Sequence, residues 1–309
     1  MVYNYQDILP FQVLQREPGK DFAEVRKDEL RDHKFKIGGP HYYYDGYGKP
    51  FYVGDIWVMA GENNMQGLGN KIDFFTMEEL QQSVTHDAAL LYDSSEHWRR
   101  FRQDPSHEPG KSRRVFLRQD VKSNFFCPNI LKPGGASLAP AFVNTLNDIN
   151  SGIPIGLVAC AKQNSTIDDW ETNSKDPDSS LYGAMLDKIK KVGGRIAGVL
   201  WYQGESDAFD SARAKIYGKL FQAWVSQLRE DLSQPNLPVV FVQIGPYNLE
   251  SSEHRNNWKK IQAAQFEMFG QSPYTAGVAS MDAMLDSSRD LSASGLSLVG
   301  RRLALAADK

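Results

Sequence analysis

From residue 51 onward the chain repeats one pattern. A short apolar run, rich in β-branched or aromatic residues, is followed by a longer segment whose apolar residues fall at helical spacing. The runs are DIWVMA (55–60), IGLVACA (155–161), IAGVLWY (196–202), PVVFVQI (238–244) and TAGVASM (275–281). They hardly alternate between apolar and polar residues, so both faces of each strand need covering, as in a parallel sheet. Residues 137–150 carry Leu138, Phe142, Leu146 and Ile149 on one helical face. Residues 181–192 carry Leu181, Met185, Ile189 and Val192 before a Gly193-Gly194 stop. Helical spacing returns over 216–232, 257–269 and 296–307. The order predicts an α/β fold, a doubly wound parallel sheet covered by helices on both faces.

Residues 1–50 read differently. They are polar, turn-rich and aromatic, and run into GGPHYYYDGYGKPFYVGD (38–55), which suits short antiparallel strands. The division expected is therefore a β-rich N-terminal appendage over 1–50 and an α/β domain over 51–309. Residues 62–134 form a long charged excursion after the first strand, with short helices expected around 76–83. Loops of such length in compact domains are often functional.

Charge and composition narrow the partners. The 309 residues hold 35 Lys and Arg against 38 Asp and Glu, a net charge of −3, which argues against a nucleic-acid binder. No apolar stretch is long enough to span a membrane, and MVYNYQDILPFQ has no secretory pattern. The two cysteines, Cys127 and Cys160, fit neither a disulfide scaffold nor a metal cage, so a cytoplasmic location is expected. No cofactor or metal is called for. A hard-cation site built from Glu62, Glu205, Asp207 and Asp290 is chemically possible, but no ligand spacing points to it.

In an open α/β sheet, ligands bind beyond the carboxyl ends of the strands. Those ends lead into Glu62-Asn63-Asn64, Gln163-Asn164-Ser165-Thr166, Gln203-Gly204-Glu205-Ser206-Asp207, Tyr247-Asn248, and Asp282 with the stretch 286–292. Taken singly, such residues cap helices and turns. Converging at one sheet edge, they predict a pocket rich in amides and carboxylates. The expected ligand contacts are Glu62, Asn63, Asn64, Gln163, Asn164, Ser165, Gln203, Glu205, Asp207 and Asp290.

The segments GDIWVMAGENNMQG (54–67), IPIGLVACAKQNSTIDDW (153–170), GVLWYQGESDA (198–208) and GLSLVGRRLA (295–304) resemble the sialate O-acetylesterase and acetylxylan-esterase-like branch of the SGNH (GDSL-like) hydrolases. The resemblance runs from about residue 51 to the end and implies a flavodoxin-like α/β/α sandwich. It also implies a Ser-His hydrolase site, and there this chain departs from the pattern. The family's G-Q-S-N-M block stands here as Gly61-Glu62-Asn63-Asn64-Met65, so Asn63 occupies the nucleophile's place. An amide has no hydroxyl for a base to deprotonate. The oxyanion block G-G-T-S stands as Gln163-Asn164-Ser165-Thr166. In the family's D-x-x-H block, Ser287 falls on the Asp and Asp290 on the His. None of the six histidines follows His254, so no shift of register restores a C-terminal imidazole. A carboxylate near pKa 3.9, against about 6.5 for imidazole, is a far weaker base at neutral pH.

Three readings follow. The first is a catalytically degenerate descendant that keeps the pocket and binds a carbohydrate-type small molecule. The second is a repurposed enzyme using Glu62, Asp290 and Glu205 for acid/base chemistry, since two carboxyls with separated pKa values can act as acid and base. The third is a carbohydrate O-acetylesterase with a displaced triad, drawing a hydroxyl from Ser165, Thr166 or Ser206 and an imidazole from His254 or the 86–107 stretch. The resemblance also places Trp170 at the pocket wall. Cys160, inside an expected strand, reads as inert core.

Overall fold

A computed structural model describes residues 1–26, 32–43, 48–70, 83–102, 115–116 and 135–309. Its strands are β1 (Val2–Asn4), β2 (Val13–Gln15), β3 (Phe22–Arg26), β4 (Asp32–Lys36), β5 (Gly38–His41), β6 (Phe51–Gly61), β7 (Ala89–Tyr92), β8 (Trp98–Arg100), β9 (Ile155–Ala159), β10 (Gly198–Tyr202), β11 (Val239–Gln243) and β12 (Thr275–Ala279). The helices are α1 (Asn63–Gln66), α2 (Ala139–Ile149), α3 (Leu181–Lys191), α4 (Ser211–Asp231), α5 (Ser252–Glu267) and α6 (Ala293–Ala307).

The five apolar runs become β6, β9, β10, β11 and β12. β9, β10 and β11 are buried at every residue, as unalternating runs require. Their pairings with one another are all parallel, in the order β12-β11-β10-β6-β9. Numbered by their own succession this is 2-1-3-4-5, the flavodoxin-like order, whose switch point lies between β6 and β10. Right-handed crossovers put α2 and α6 on one face and α3, α4 and α5 on the other, and α2 packs on α6 as α4 packs on α5. Gly300 permits the first contact, because a Cβ there would stand 2.2 Å from the Leu138 carbonyl oxygen. On the other face Trp201 of β10 meets Trp224 and Phe221 of α4, at centroid distances of 4.4 and 5.4 Å.

The long β6 joins two cores. Its amino half pairs with β2 in parallel and with β5 antiparallel, and its carboxyl half pairs with β9 and β10. Phe51 and Val53 face a small core with Tyr3, Ile8, Leu14, Ala23 and Val25. Tyr52 and Val13 face the main core instead, as strand alternation dictates. The N-terminal strands therefore continue along β6, and β1-β3-β4 form a separate three-stranded sheet. A bidentate Arg16–Asp55 pair, both contacts 2.8 Å, ties the two parts together.

The excursion after β6 holds two strands that its charged composition hid. β7 and β8 form an antiparallel hairpin, and β7 extends the main sheet in parallel beside β9. The apolar core of β7 is only Ala-Leu-Leu-Tyr, too short for periodicity to tell strand from helix. The helices expected around 76–83 lie, except for Ser83, outside the described residues, as does Cys127. α4 and α5 each begin about a turn earlier than their apolar spacing suggests. Asp210 caps α4 by accepting from Ala212 N and Arg213 N at 2.8 and 3.0 Å, and Ser251 caps α5. Among the described residues no helix is long and apolar enough to cross a membrane.

Gly61 ends β6 with φ +135°, and a Cβ there would stand 2.0 Å from the Tyr202 carbonyl oxygen. Both facts exclude a side chain at the point where β6 turns into α1. Gly61→Ala is expected to destabilise the fold by roughly 2–3 kcal/mol, read as a lowered urea midpoint. A midpoint unchanged from the parent would contradict this.

Candidate functional site

The loops after the strands converge at the β6–β10 switch point, where the order of the sheet predicts a site. α1 is a single turn that follows β6 directly. It carries Asn63 and Asn64 and ends at Gly67, in the left-handed conformation with φ +77°. The 286–292 turn lies opposite. Between them, with Gln163 on a third side, is a cleft of about 160 Å³ floored by Leu68, Leu291 and Leu296.

Asn63 is held at both ends of its amide. Its Oδ1 accepts from Asn164 N at 2.8 Å, and its Nδ2 donates to Asp290 Oδ1 at 3.1 Å. Asp290 is fixed in turn by Ser287, whose Oγ donates to Asp290 Oδ2 at 2.8 Å and accepts from Asp290 N at 3.0 Å. Asn63, Asp290 and Ser287, the positions that the sequence resemblance sets at nucleophile, imidazole and acid, are thus joined in one hydrogen-bonded row. The backbone N–H of Asn164, at the place of the oxyanion block, is taken up by the Asn63 carbonyl. Asn164 itself sits at φ +57°, the region that glycine occupies without cost.

Behind this row lies a buried carboxylate layer. Asn64 connects the two, its Nδ2 donating to Glu205 Oε1 at 2.7 Å and its Oδ1 accepting from Leu291 N at 2.8 Å. Glu62 is fully buried and well supplied with donors. Its Oε1 accepts from Gly204 N and Ser206 N, both at 3.0 Å, and its Oε2 accepts from Ser206 Oγ. Glu205 Oε2 has no such donor. Burial, reinforced by the neighbouring Glu62 charge, pushes the Glu205 carboxyl well above the usual carboxylate range. The fold therefore favours the protonated form of Glu205. Asp207 accepts from Gln203 Nε2 at 2.5 Å and from Ile167 N at 3.0 Å, while burial pushes its carboxyl up to about 7.

The structure therefore splits the expected ligand contacts. Asn63, Asn64, Gln163 and Asp290 line the cleft. Glu62, Gln203, Glu205 and Asp207 lie beneath it, at 2 % exposure or less, and act on it through Asn64 and the loop backbones. Ser165 is also buried, donating to Lys162 O and accepting from Trp170 Nε1. Trp170, placed by the resemblance at the pocket wall, is instead core and packs at 5.2 Å on Trp201. Asn164 touches the site through Asn63 and Arg289.

Arg289 is the residue that the sequence reading missed. Its Nη2 donates to Asn164 Oδ1 at 2.8 Å and its Nη1 to Ser206 Oγ at 3.4 Å. Its guanidinium lies 5.2 Å from the Phe209 ring centroid. It joins three of the loops, and its position directly before Asp290 was the available signal.

The hydroxyls considered for a displaced triad have other partners. Thr166 Oγ1 donates to Asp169 at 2.9 Å, and Ser165 and Ser206 are engaged as above. His254 packs edge-on against Phe209 at 4.7 Å, and His86 bonds the Ile153 carbonyl. Among the described residues none of these hydroxyls meets an imidazole, and no three His, Cys, Asp or Glu side chains are grouped to hold a metal ion.

Comparison with known proteins agrees with this frame. A probable carbohydrate esterase of Arabidopsis thaliana is 31% identical over 204 residues, covering 63% of this chain and 70% of that protein. Its crystal structure superposes with a TM-score of 0.61 at 26% identity, over 82% of this chain and 96% of that one. A carbohydrate acetylesterase from Xanthomonas citri shares the fold, with a TM-score of 0.65 at 18% identity, over 97% of this chain and 74% of that one. The family described as carbohydrate esterase, sialic acid-specific acetylesterase matches residues 53–309. That match spans most of the chain, which therefore belongs to this family of carbohydrate esterases.

Proposed function

We infer that this chain binds a carbohydrate-type small molecule in the Asn63–Asp290 cleft and does not hydrolyse esters through a serine acyl-enzyme. One observation carries the reading. The side chain at the nucleophile's place is an amide, and it spends its carbonyl on the Asn164 N–H and its N–H on Asp290. A group that cannot be deprotonated thus occupies both the nucleophile's position and a donor that would stabilise an oxyanion. The cleft itself persists, with amide, hydroxyl and carboxylate groups over an apolar floor, a lining suited to hydroxyl-rich ligands. A cytoplasmic location is part of this proposal and rests on the sparse cysteine usage, two in 309 residues.

Of the three residues in the reading based on carboxylate chemistry, Asp290 stands on the cleft wall, while Glu62 and Glu205 are sealed beneath it. The test is hydrolysis of p-nitrophenyl acetate and acetylated sugars, followed by calorimetry with the same sugars. No saturable hydrolysis above the buffer blank is expected. Sugar binding should weaken about tenfold in Asp290→Ala, the loss of one hydrogen-bonding group to the ligand. Saturable hydrolysis by the parent chain would overturn the reading.

A further inference from the structure

The Asn63 amide is held as a hydrolase holds the bond it cleaves. Its carbonyl oxygen accepts a backbone N–H at 2.8 Å, which polarises the carbon. Its nitrogen lies 3.1 Å from a carboxylate oxygen, and that carboxylate is oriented by the Ser287 hydroxyl at 2.8 Å. Neither hydrogen bond engages the amide carbon, the atom that a nucleophile attacks. Asn63 and Asp290 are each half-buried and border a cleft with room for several water molecules.

We propose that Asn63 is a self-processing site, hydrolysed by water with Asp290 as the catalytic residue to leave aspartate at position 63. Water attacks Asn63 Cγ and gives one proton to the Asp290 carboxylate. The oxygen that becomes negative stays on the Asn164 N–H. The Cγ–Nδ2 bond then breaks as Asp290 returns the proton to nitrogen, and ammonia leaves. The net change is one amide and one water to one carboxylate and one ammonium ion, with no oxidant or cofactor. The common competing route, attack by the next backbone nitrogen to give a succinimide, is opposed here because residue 63 opens α1 and its backbone is helical. The product would place two carboxyls about 3 Å apart, a pair that shares one proton and supplies both an acid and a base to the cleft. The proposal concerns the chain itself and does not depend on which ligand the cleft takes.

The test is peptide mapping of the purified full chain during prolonged incubation at neutral pH in water labelled with the heavy oxygen isotope. Exposed Asn173, which precedes Ser174, serves as the internal clock for ordinary deamidation. Residue 63 is expected to convert faster than Asn173, to carry one labelled oxygen, and to give α-aspartate without isoaspartate. Asp290→Asn should slow the conversion about a hundredfold, the usual contribution of a positioned base. Residue 63 remaining intact after Asn173 has converted would overturn the proposal. So would a mixture containing isoaspartate, or conversion at the parent rate in Asp290→Asn. The parent chain alone decides the first two outcomes, whether or not the variant folds.

Discussion

Exchanging three residues together, Asn63→Ser, Ser287→Asp and Asp290→His, is expected to turn the chain into a measurable acetyl esterase. The gain over the parent on p-nitrophenyl acetate should be at least about a hundredfold. The three positions already stand in hydrogen-bonded sequence, with contacts of 3.1 Å from residue 63 to 290 and 2.8 Å from 290 to 287. Removing the Asn63 carbonyl also releases the Asn164 N–H, which then faces the place of an incoming acyl oxygen. Asn63→Ser alone should stay near the blank, because its only neighbouring base would be a carboxylate, and groups that act as a unit restore nothing singly. A serine-directed fluorophosphonate should label the triple variant and leave the parent unlabelled. A folded triple variant that remains silent would show that the cleft no longer holds a catalytic frame.

How far the sequence reaches can be seen residue by residue. β6, β9, β10 and β11 were legible because a strand covered on both faces is apolar at nearly every position, whereas β12, equally apolar in sequence, is a partly exposed edge strand. β7 was not, because four apolar residues inside a charged stretch satisfy helix and strand equally. In the site, Asn63, Asn64, Gln163 and Asp290 were legible as strand-end residues, and the structure places all four on the cleft. Glu62, Gln203, Glu205 and Asp207 come from the same loops, yet they point inward. Position relative to a strand end fixes which edge of the sheet a residue occupies. It does not fix which side of the loop its side chain takes, and here that side is set by donors such as Gly204 N and Ile167 N. Arg289 escaped notice because its role arises between loops far apart in sequence, at Asn164, Ser206 and Phe209.

The buried carboxyl layer should make this protein less stable as pH rises, and Glu205→Gln should remove part of that loss. Glu205 and Asp207 both hold a proton in the folded state at pH values where the unfolded chain has released it. The folded state then binds more protons, so stability is full below the ordinary carboxylate range and declines as pH rises through the raised values. For Asp207 the window runs from 3.8 to about 7. At about 1.4 kcal/mol per unit that sets a ceiling of roughly 4 kcal/mol. Glu205 adds a decline of the same sign, because burial and the Glu62 charge both raise its carboxyl. Glutamine at position 205 keeps the shape of the neutral acid. Its carbonyl can accept from Asn64 Nδ2 as Glu205 Oε1 does at 2.7 Å, and its amide N–H stands where the neutral acid carries its own proton. Urea unfolding should therefore find Glu205→Gln equal to the parent near pH 4 and increasingly the more stable of the two as pH rises, by at most about 1.4 kcal/mol per pH unit. If the variant is instead destabilised equally at low and high pH, Glu205 is ionised in the folded chain and the assignment is overturned.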